Sequence, residues 1–136
     1  CVYYGDEIGL ENEGTFGSRN CMPWDESAWD KELLGFYQQL IALRRADPVL
    51  QSGAFRMLYA EDDLIVFERV LDGSHVLVSA YKGVQARPAE VVKISGNGMK
   101  PVREFVGKFT GLRLKLDGDR LTLPGLPRGG EIWQAA

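Results

Sequence analysis

Apolar positions along the chain recur with a helical period before residue 53 and with a period of two after it. The helical stretch lies between Asp30 and Pro48, where apolar residues return every three or four positions, and this spacing predicts an amphipathic helix. The stripe contains Leu33, Leu34, Phe36, Tyr37, Leu40, Ile41 and Leu43. It is wider than a surface helix needs, so we expect this helix to pack on two sides.

Both ends of the helix carry sequence signals. Ser27 with Asp30 three residues later matches a capping box, and Asp30 itself is an alternative cap. Arg44 and Arg45 suit the negative end of the helix dipole, and Pro48 is expected to stop the helix.

After Gly53 the alternating pattern predicts short strands separated by turn signals. The strands fall at residues 54–59, 64–70, 75–81, 90–94, 112–116, 121–123 and 131–134. Asp72-Gly73 and Asp117-Gly118 are typical of tight hairpin turns. Seven or eight such strands predict an antiparallel β-sandwich, so the chain is expected to be mainly β.

The first residues differ from both patterns. Cys1 to Tyr4 is a continuous apolar run, which predicts a strand buried on both faces. Gly5 permits a sharp exit, and Asp6 and Glu7 follow at the start of a loop that runs to Trp24. A buried strand that delivers polar groups into a long loop is how α/β enzymes build their sites.

Composition narrows the classes of function. A net charge of −3 and a pI near 5.2 argue against a nucleic-acid partner. The sequence contains no run of 18 apolar residues, so no membrane span is predicted. No signal peptide is visible either, and a cytoplasmic location is expected. Cys1 and Cys21 are too few for a disulfide scaffold, and with His75 as the one histidine they do not make a zinc site. We expect no metal and no cofactor.

We expect two parts, 1–52 and 53–136. Because one strand and one helix cannot bury each other's faces, the first part needs a partner that this sequence does not supply. A chain that begins with Cys in an apolar run is expected to be a fragment. Because the apolar stripe of Leu33, Tyr37, Leu40 and Ile41 would lack a partner, the chain should self-associate or fray over residues 1 to 24.

The amino-acid sequence of the first part resembles that of a known family. YYGDEIGL, a Gly-containing loop, SRNCMPWD and a helix ending in LIALRR are similar to the end of the catalytic domain of the α-amylase superfamily, glycoside hydrolase family 13. The similarity is greatest to the neopullulanase, cyclomaltodextrinase and maltogenic amylase group. It covers residues 1 to about 60 most strongly.

This resemblance implies a fold and an activity. Val2 to Tyr4 would be the eighth strand of a (β/α)8 barrel, 5–24 the following loop at the substrate cleft, 31–46 the eighth helix and 54–136 an antiparallel C-terminal domain. The longer protein of which this chain would be a fragment would be a retaining hydrolase of α-glucosidic bonds in maltooligosaccharides, cyclodextrins or pullulan. Its catalytic carboxylates would lie upstream, so the fragment alone is expected to be inactive.

The resemblance also implies which residues contact sugar. In the family's Arg-x-x-Met-x-Trp motif the arginine, here Arg19, helps to bind a glucosyl unit, and a loop-pinning ion pair is the alternative. Several relatives place an aspartate four residues before this arginine, whereas this sequence has Thr15, which leaves the subsite geometry open.

Three further residues are substrate-binding candidates. Asp6 either binds sugar hydroxyls or accepts backbone N–H bonds, and neighbouring side chains on an extended strand cannot flank one bond, so Asp6 and Glu7 are not a catalytic pair. Tyr4 and Trp24 either stack on pyranose rings or belong to a core. His75 is expected to face solvent without a role.

The alternative function is a non-catalytic β module that binds polysaccharide or another protein.

Overall fold

The computed structural model describes residues 1–11, 20–61, 63–93 and 99–136, and for 99–102 it describes the backbone alone. The chain divides into two compact units, Cys1–Asp47 and Pro48–Ala136.

The first unit contains the predicted helix. Helix α1 spans Lys31–Ala46, the range that the family resemblance implies. Its N-cap is Asp30 and not Ser27, because the Asp30 carboxylate accepts a hydrogen bond from the Leu33 N–H at 2.9 Å. No residue of α1 is buried, so the packing on two sides that its stripe predicts is not present in this structure.

The strand predicted over Cys1 to Tyr4 is wrong for this structure. These four residues form no strand, and their side chains are exposed. A strand needs a neighbour to receive its backbone hydrogen bonds, and the described part of the chain pairs nothing with this segment. Cys1 and Cys21 are both free, as expected, but Cys1 is exposed and not buried.

The second unit is an antiparallel β fold preceded by a short helix. Helix α2 spans Pro48–Ser52, so Pro48 starts a new helix directly after α1. The strands are β1 Ala54–Glu61, β2 Leu64–Leu71, β3 Ser74–Tyr81, β4 Glu90–Lys93, β5 Met99–Gly107, β6 Arg113–Gly118, β7 Arg120–Leu123 and β8 Gly129–Ala135. Seven of these were predicted, and β5 was missed because Pro101 interrupts its alternation.

The described strands pair into one sheet of order β1-β2-β3-β8-β5-β6-β7-β4. The two layers expected of a sandwich are therefore halves of one continuous sheet. Its opposite edges share a core, since Leu58 of β1 and Val92 of β4 belong to the same buried cluster. Phe105 and Trp133 are the largest side chains buried there.

The Asp72-Gly73 turn behaves as its sequence predicts. Asp72 and Gly73 both have positive φ angles, 49° and 78°, as a two-residue type I′ turn requires. This turn sets the register between β2 and β3, in which Leu71 faces Ser74.

Among the residues whose side chains the structure describes, three polar ones are buried inside the sheet: Glu68, Ser79 and Glu131. Ser79 accepts a hydrogen bond from the Trp133 indole at 2.9 Å, and Glu131 accepts bonds from the backbone of Phe109, Thr110 and Ile132. Ser79 and Glu131 thus each have hydrogen-bond partners, which limits the cost of their desolvation.

The prediction for His75 is wrong. Its side chain is 12% exposed, and its Nδ1 lies 2.6 Å from the buried carboxylate of Glu68. The alternating pattern of β3 turns His75 to the same face as Leu77, which is fully buried, and therefore towards the interior.

No helix in the described ranges is long and apolar enough to cross a membrane.

Candidate functional site

The segment that carries the predicted site begins with a compact turn. Gly5 and Gly9 adopt positive φ angles of 92° and 72°, and Asp6–Ile8 between them forms one turn of 3-10 helix. The Leu10 N–H donates to the Gly5 carbonyl at 2.9 Å and closes the turn. Ile8 is buried beneath it, so the turn is fixed by packing as well as by hydrogen bonds.

The two carboxylates of this turn bind backbone. Asp6 Oδ2 accepts from the Tyr3 N–H at 3.0 Å, and Glu7 Oε2 accepts from the Gly5 N–H at 2.9 Å. The predicted extended backbone at Asp6 and Glu7 is wrong, because both residues lie in the 3-10 turn. Each carboxylate holds the chain entering the turn, and its other oxygen has capacity to accept a further donor.

Tyr4 joins the two described ends of the loop. Its hydroxyl donates to the Asn20 carbonyl at 2.9 Å, and the Asn20 amide donates to the Glu11 carbonyl at 3.3 Å. The Tyr4 ring lies 4.6 Å from the Tyr3 ring, centroid to centroid. Partial burial raises the pKa of the Tyr4 phenol, with a smaller contribution from Tyr3, so the hydroxyl remains a neutral donor.

Trp24 is the most exposed aromatic side chain among the described residues of this segment, at 82%. Pro23 before it is fixed, since its carbonyl accepts from the Trp29 indole at 2.7 Å. The interpretation of Tyr4 and Trp24 as core residues is wrong here, because Tyr4 is also 44% exposed. An exposed indole on a fixed backbone can stack against an apolar ring face of a ligand.

Arg19 lies outside the described residues, so its predicted role in binding stays a prediction. The structure brings Tyr4 and Asn20 together and pins Asp6 in the adjacent turn. Asn20 was not a predicted site residue, although it stands directly after Arg19 in the quoted SRNCMPWD motif. In the described ranges no group of three His, Cys, Asp or Glu side chains is placed to hold a metal ion.

Comparison with known proteins identifies relatives of both units. No protein-family model matches the chain. A cyclomaltodextrinase of a Bacillus species is 45% identical over 80 residues, which are 57% of this chain and 14% of that protein. A cyclomaltodextrinase of Geobacillus thermopakistaniensis is 31% identical over 132 residues, which are 95% of this chain and 21% of that protein.

A solved structure gives the same result. The crystal structure of an Anoxybacillus α-amylase superposes with a TM-score of 0.74 at 25% identity, over 98% of this chain and 28% of that one. The chain belongs to the α-amylase family, glycoside hydrolase family 13, and matches its C-terminal region.

This amylase-family chain spans between about a seventh and a fifth of the length of the two cyclomaltodextrinases. Its second unit is mainly antiparallel β and resembles the C-terminal domain of the family, which confirms that part of the predicted fold. The homologous proteins are glycoside hydrolases that include cyclomaltodextrinase, maltogenic amylase and amylopullulanase.

Proposed function

We propose that this chain is the C-terminal part of a longer retaining glycosidase that hydrolyses α-glucosidic bonds in maltooligosaccharides, cyclodextrins or pullulan. The observation that carries the proposal is the match to a cyclomaltodextrinase over 95% of the chain, which runs through both units. A β module borrowed by an unrelated protein would match in the second unit alone.

The chemistry requires a pair of carboxyl groups in a defined arrangement. Retaining hydrolysis uses two carboxyl groups ~5 Å apart, one as nucleophile and one as acid, on either side of the bond. Asp6 and Glu7 are adjacent acids in the segment from Cys1 to Trp24, and both are engaged in holding their own turn. We infer that the catalytic pair comes from the preceding part of the longer protein and that this chain alone is inactive.

The first unit then completes the catalytic domain. Val2 to Tyr4 serve as the eighth barrel strand once a neighbouring strand is present to receive their hydrogen bonds, and α1 serves as the eighth helix with its stripe covered. The loop after this strand lies at the catalytic face, where such loops carry substrate-binding residues.

Four residues bind the substrate in this proposal. Arg19 donates to sugar hydroxyls, and Tyr4 and Trp24 present aromatic faces to the glucosyl rings. Asp6 accepts from a sugar hydroxyl with the carboxylate oxygen that does not hold Tyr3. The exposure of Trp24 supports this assignment.

The test is hydrolysis of maltotriose, β-cyclodextrin and pullulan by the longer protein beside this chain. We expect the longer protein to release reducing sugar and the chain to release none. Hydrolysis by the chain would overturn the placement of the carboxylates, and an inactive longer protein would overturn the function.

A further inference from the structure

The second unit contains a groove that the sequence did not predict. It lies where β2 and β8 begin and β3 ends, and has a volume of about 470 Å³. Small-molecule sites typically measure about 300–1,000 Å³, so a short oligomer fits this space. The groove is lined by Asp63, Ile65, Ala80, Tyr81, Lys82, Arg128 and Gly129.

The groove is hollow because small residues meet across the strands. In the sheet register Ile65 faces Ala80, Ala80 faces Gly130, and Tyr81 faces Gly129. The two glycines of β8 contribute no side chains, so this corner is open beside the 40%-exposed Ile65. The result is an apolar floor between strands that are held rigidly by the sheet.

Charged groups surround this floor. Lys82 Nζ lies 3.6 Å from Asp63 Oδ1, with both side chains more than half exposed, and the Lys82 N–H donates to the Asp63 carbonyl at 3.0 Å. Arg128 is exposed and forms no hydrogen bond or ion pair with the described residues. The rim therefore offers a carboxylate acceptor, an ammonium donor and a guanidinium whose donors are not engaged within the described structure.

We propose that this groove is a second α-glucan binding site, separate from the segment that carries Tyr4 and Trp24. An apolar floor with polar groups at its edge matches a pyranose, which has C–H faces and a belt of hydroxyls. Asp63 accepts from these hydroxyls, while Lys82 and Arg128 donate to them. The choice of an α-glucan among sugars rests on the proposed function.

The mixed charge of the rim favours a neutral ligand. Lys82 is already paired with Asp63, so a polyanion would meet the repulsion of that carboxylate. A neutral sugar makes use of both signs, because each hydroxyl donates and accepts.

The test is titration of this chain with maltoheptaose by isothermal calorimetry, with cellopentaose as the β-linked control. Arg128→Ala should weaken maltoheptaose binding about tenfold or more, since hydrogen bonds from charged groups are among the stronger ones. Ala80→Leu should abolish binding by filling the floor. Arg120→Ala is the matched control, because Arg120 is exposed on β7 and does not line the groove, and should leave affinity unchanged.

The same titration separates this proposal from the proposed function. Loss of binding in Trp24→Ala, with Arg128→Ala and Ala80→Leu unaffected, places the ligand at the first segment and overturns the groove alone. Absence of binding by the folded chain, alongside hydrolysis by the longer protein, overturns it as well. Binding that needs Arg128 and Ala80 supports the groove even where the longer protein proves inactive.

Discussion

His75 Nδ1 lies 2.6 Å from Oε1 of Glu68, whose side chain is completely buried. The second oxygen of Glu68 accepts from Arg56 Nε at 2.7 Å. The three residues lie on β1, β2 and β3, so one carboxylate joins three strands from inside the sheet. A buried carboxylate is stable only when its oxygens accept hydrogen bonds or form ion pairs, which makes each partner structurally important.

The first prediction concerns this cluster. His75→Ala leaves Glu68 Oε1 without its partner and should lower the free energy of unfolding by on the order of 1–3 kcal/mol, the cost of an unsatisfied buried group. Urea denaturation followed by circular dichroism measures this loss. The control is Arg113→Ala, which breaks an exposed pair with Glu104 and should cost less than about 1 kcal/mol. Equal losses in the two variants would mean that His75 does not support Glu68.

The second prediction concerns Gly107. A Cβ at this position would lie 2.6 Å from Oε2 of the buried Glu131, which cannot move without breaking its bonds to Phe109 and Thr110. Gly107→Ala should therefore destabilise the second unit by about 1–3 kcal/mol. The matched variant is Gly35→Ala in α1, which meets no atom within 4 Å and should stabilise the helix by about 0.5–1 kcal/mol. Thermal unfolding should show shifts of opposite sign, and a neutral Gly107→Ala would contradict the tight packing.

The third prediction concerns the pH dependence of the candidate segment. Partial burial raises the pKa of Tyr4 above its ordinary value of 10.0. The unfolded chain therefore releases this proton first, so the contribution to stability is fully present below pH 10.0 and is lost as pH rises through the folded pKa. Ultraviolet difference titration of the native protein against Tyr4→Phe should show one phenol that ionises at a higher pH than a free tyrosine. Ionisation at the ordinary value would contradict a partly buried hydroxyl that donates to Asn20.

The fourth prediction concerns Arg19 in the longer protein. Arg19→Ala should lower kcat/KM for maltotriose about tenfold to a hundredfold, because it removes charged hydrogen bonds to the sugar. Lys115→Ala, an exposed change of equal charge on β6, should leave kcat/KM unchanged. A variant that loses stability but keeps its kcat/KM would identify Arg19 as a loop-pinning residue instead.

The fifth prediction concerns self-association of the chain. Helix α1 has no buried residue, and its Ile41 is 49% exposed, so the apolar stripe around Ile41 can contact a second copy. Light scattering should show a mass that rises with concentration, and Ile41→Asp should restore the monomer. Val84→Asp, at a 94%-exposed position outside α1, should not. A wild-type chain that remains monomeric throughout would refute the prediction.

The elements that local sequence determines were predicted correctly. Asp30 and the apolar spacing of 31–46 specify α1, and Asp72-Gly73 specifies the turn between β2 and β3. These features depend on residues close together in the chain, where capping, turn geometry and periodicity act directly. The family resemblance also follows from contiguous sequence motifs in the first segment, and the comparisons confirm it.

The sequence determined less where partners lie far along the chain. The Trp133 indole and the Ser79 hydroxyl that accepts its bond are 54 positions apart, and β8 is inserted between β3 and β5. No local sequence pattern predicts such a pairing. The same reason explains the missed burial of His75, whose partner Glu68 lies on another strand, and the error at Tyr4, whose surroundings depend on pairing that the described chain does not supply.

The groove depends on the tertiary structure alone. Asp63, Ala80 and Arg128 are unremarkable in sequence, and the register of β2, β3 and β8 brings them to one corner. Local propensity thus determined the helix, the Asp72-Gly73 turn and most strands of this amylase-family chain, whereas the turn predicted at Asp117-Gly118 lies one residue later, because Asp117 pairs with Arg120. Long-range strand pairing determined which polar groups are buried and which small residues leave a cavity, because register alone sets the neighbours of each side chain across a sheet.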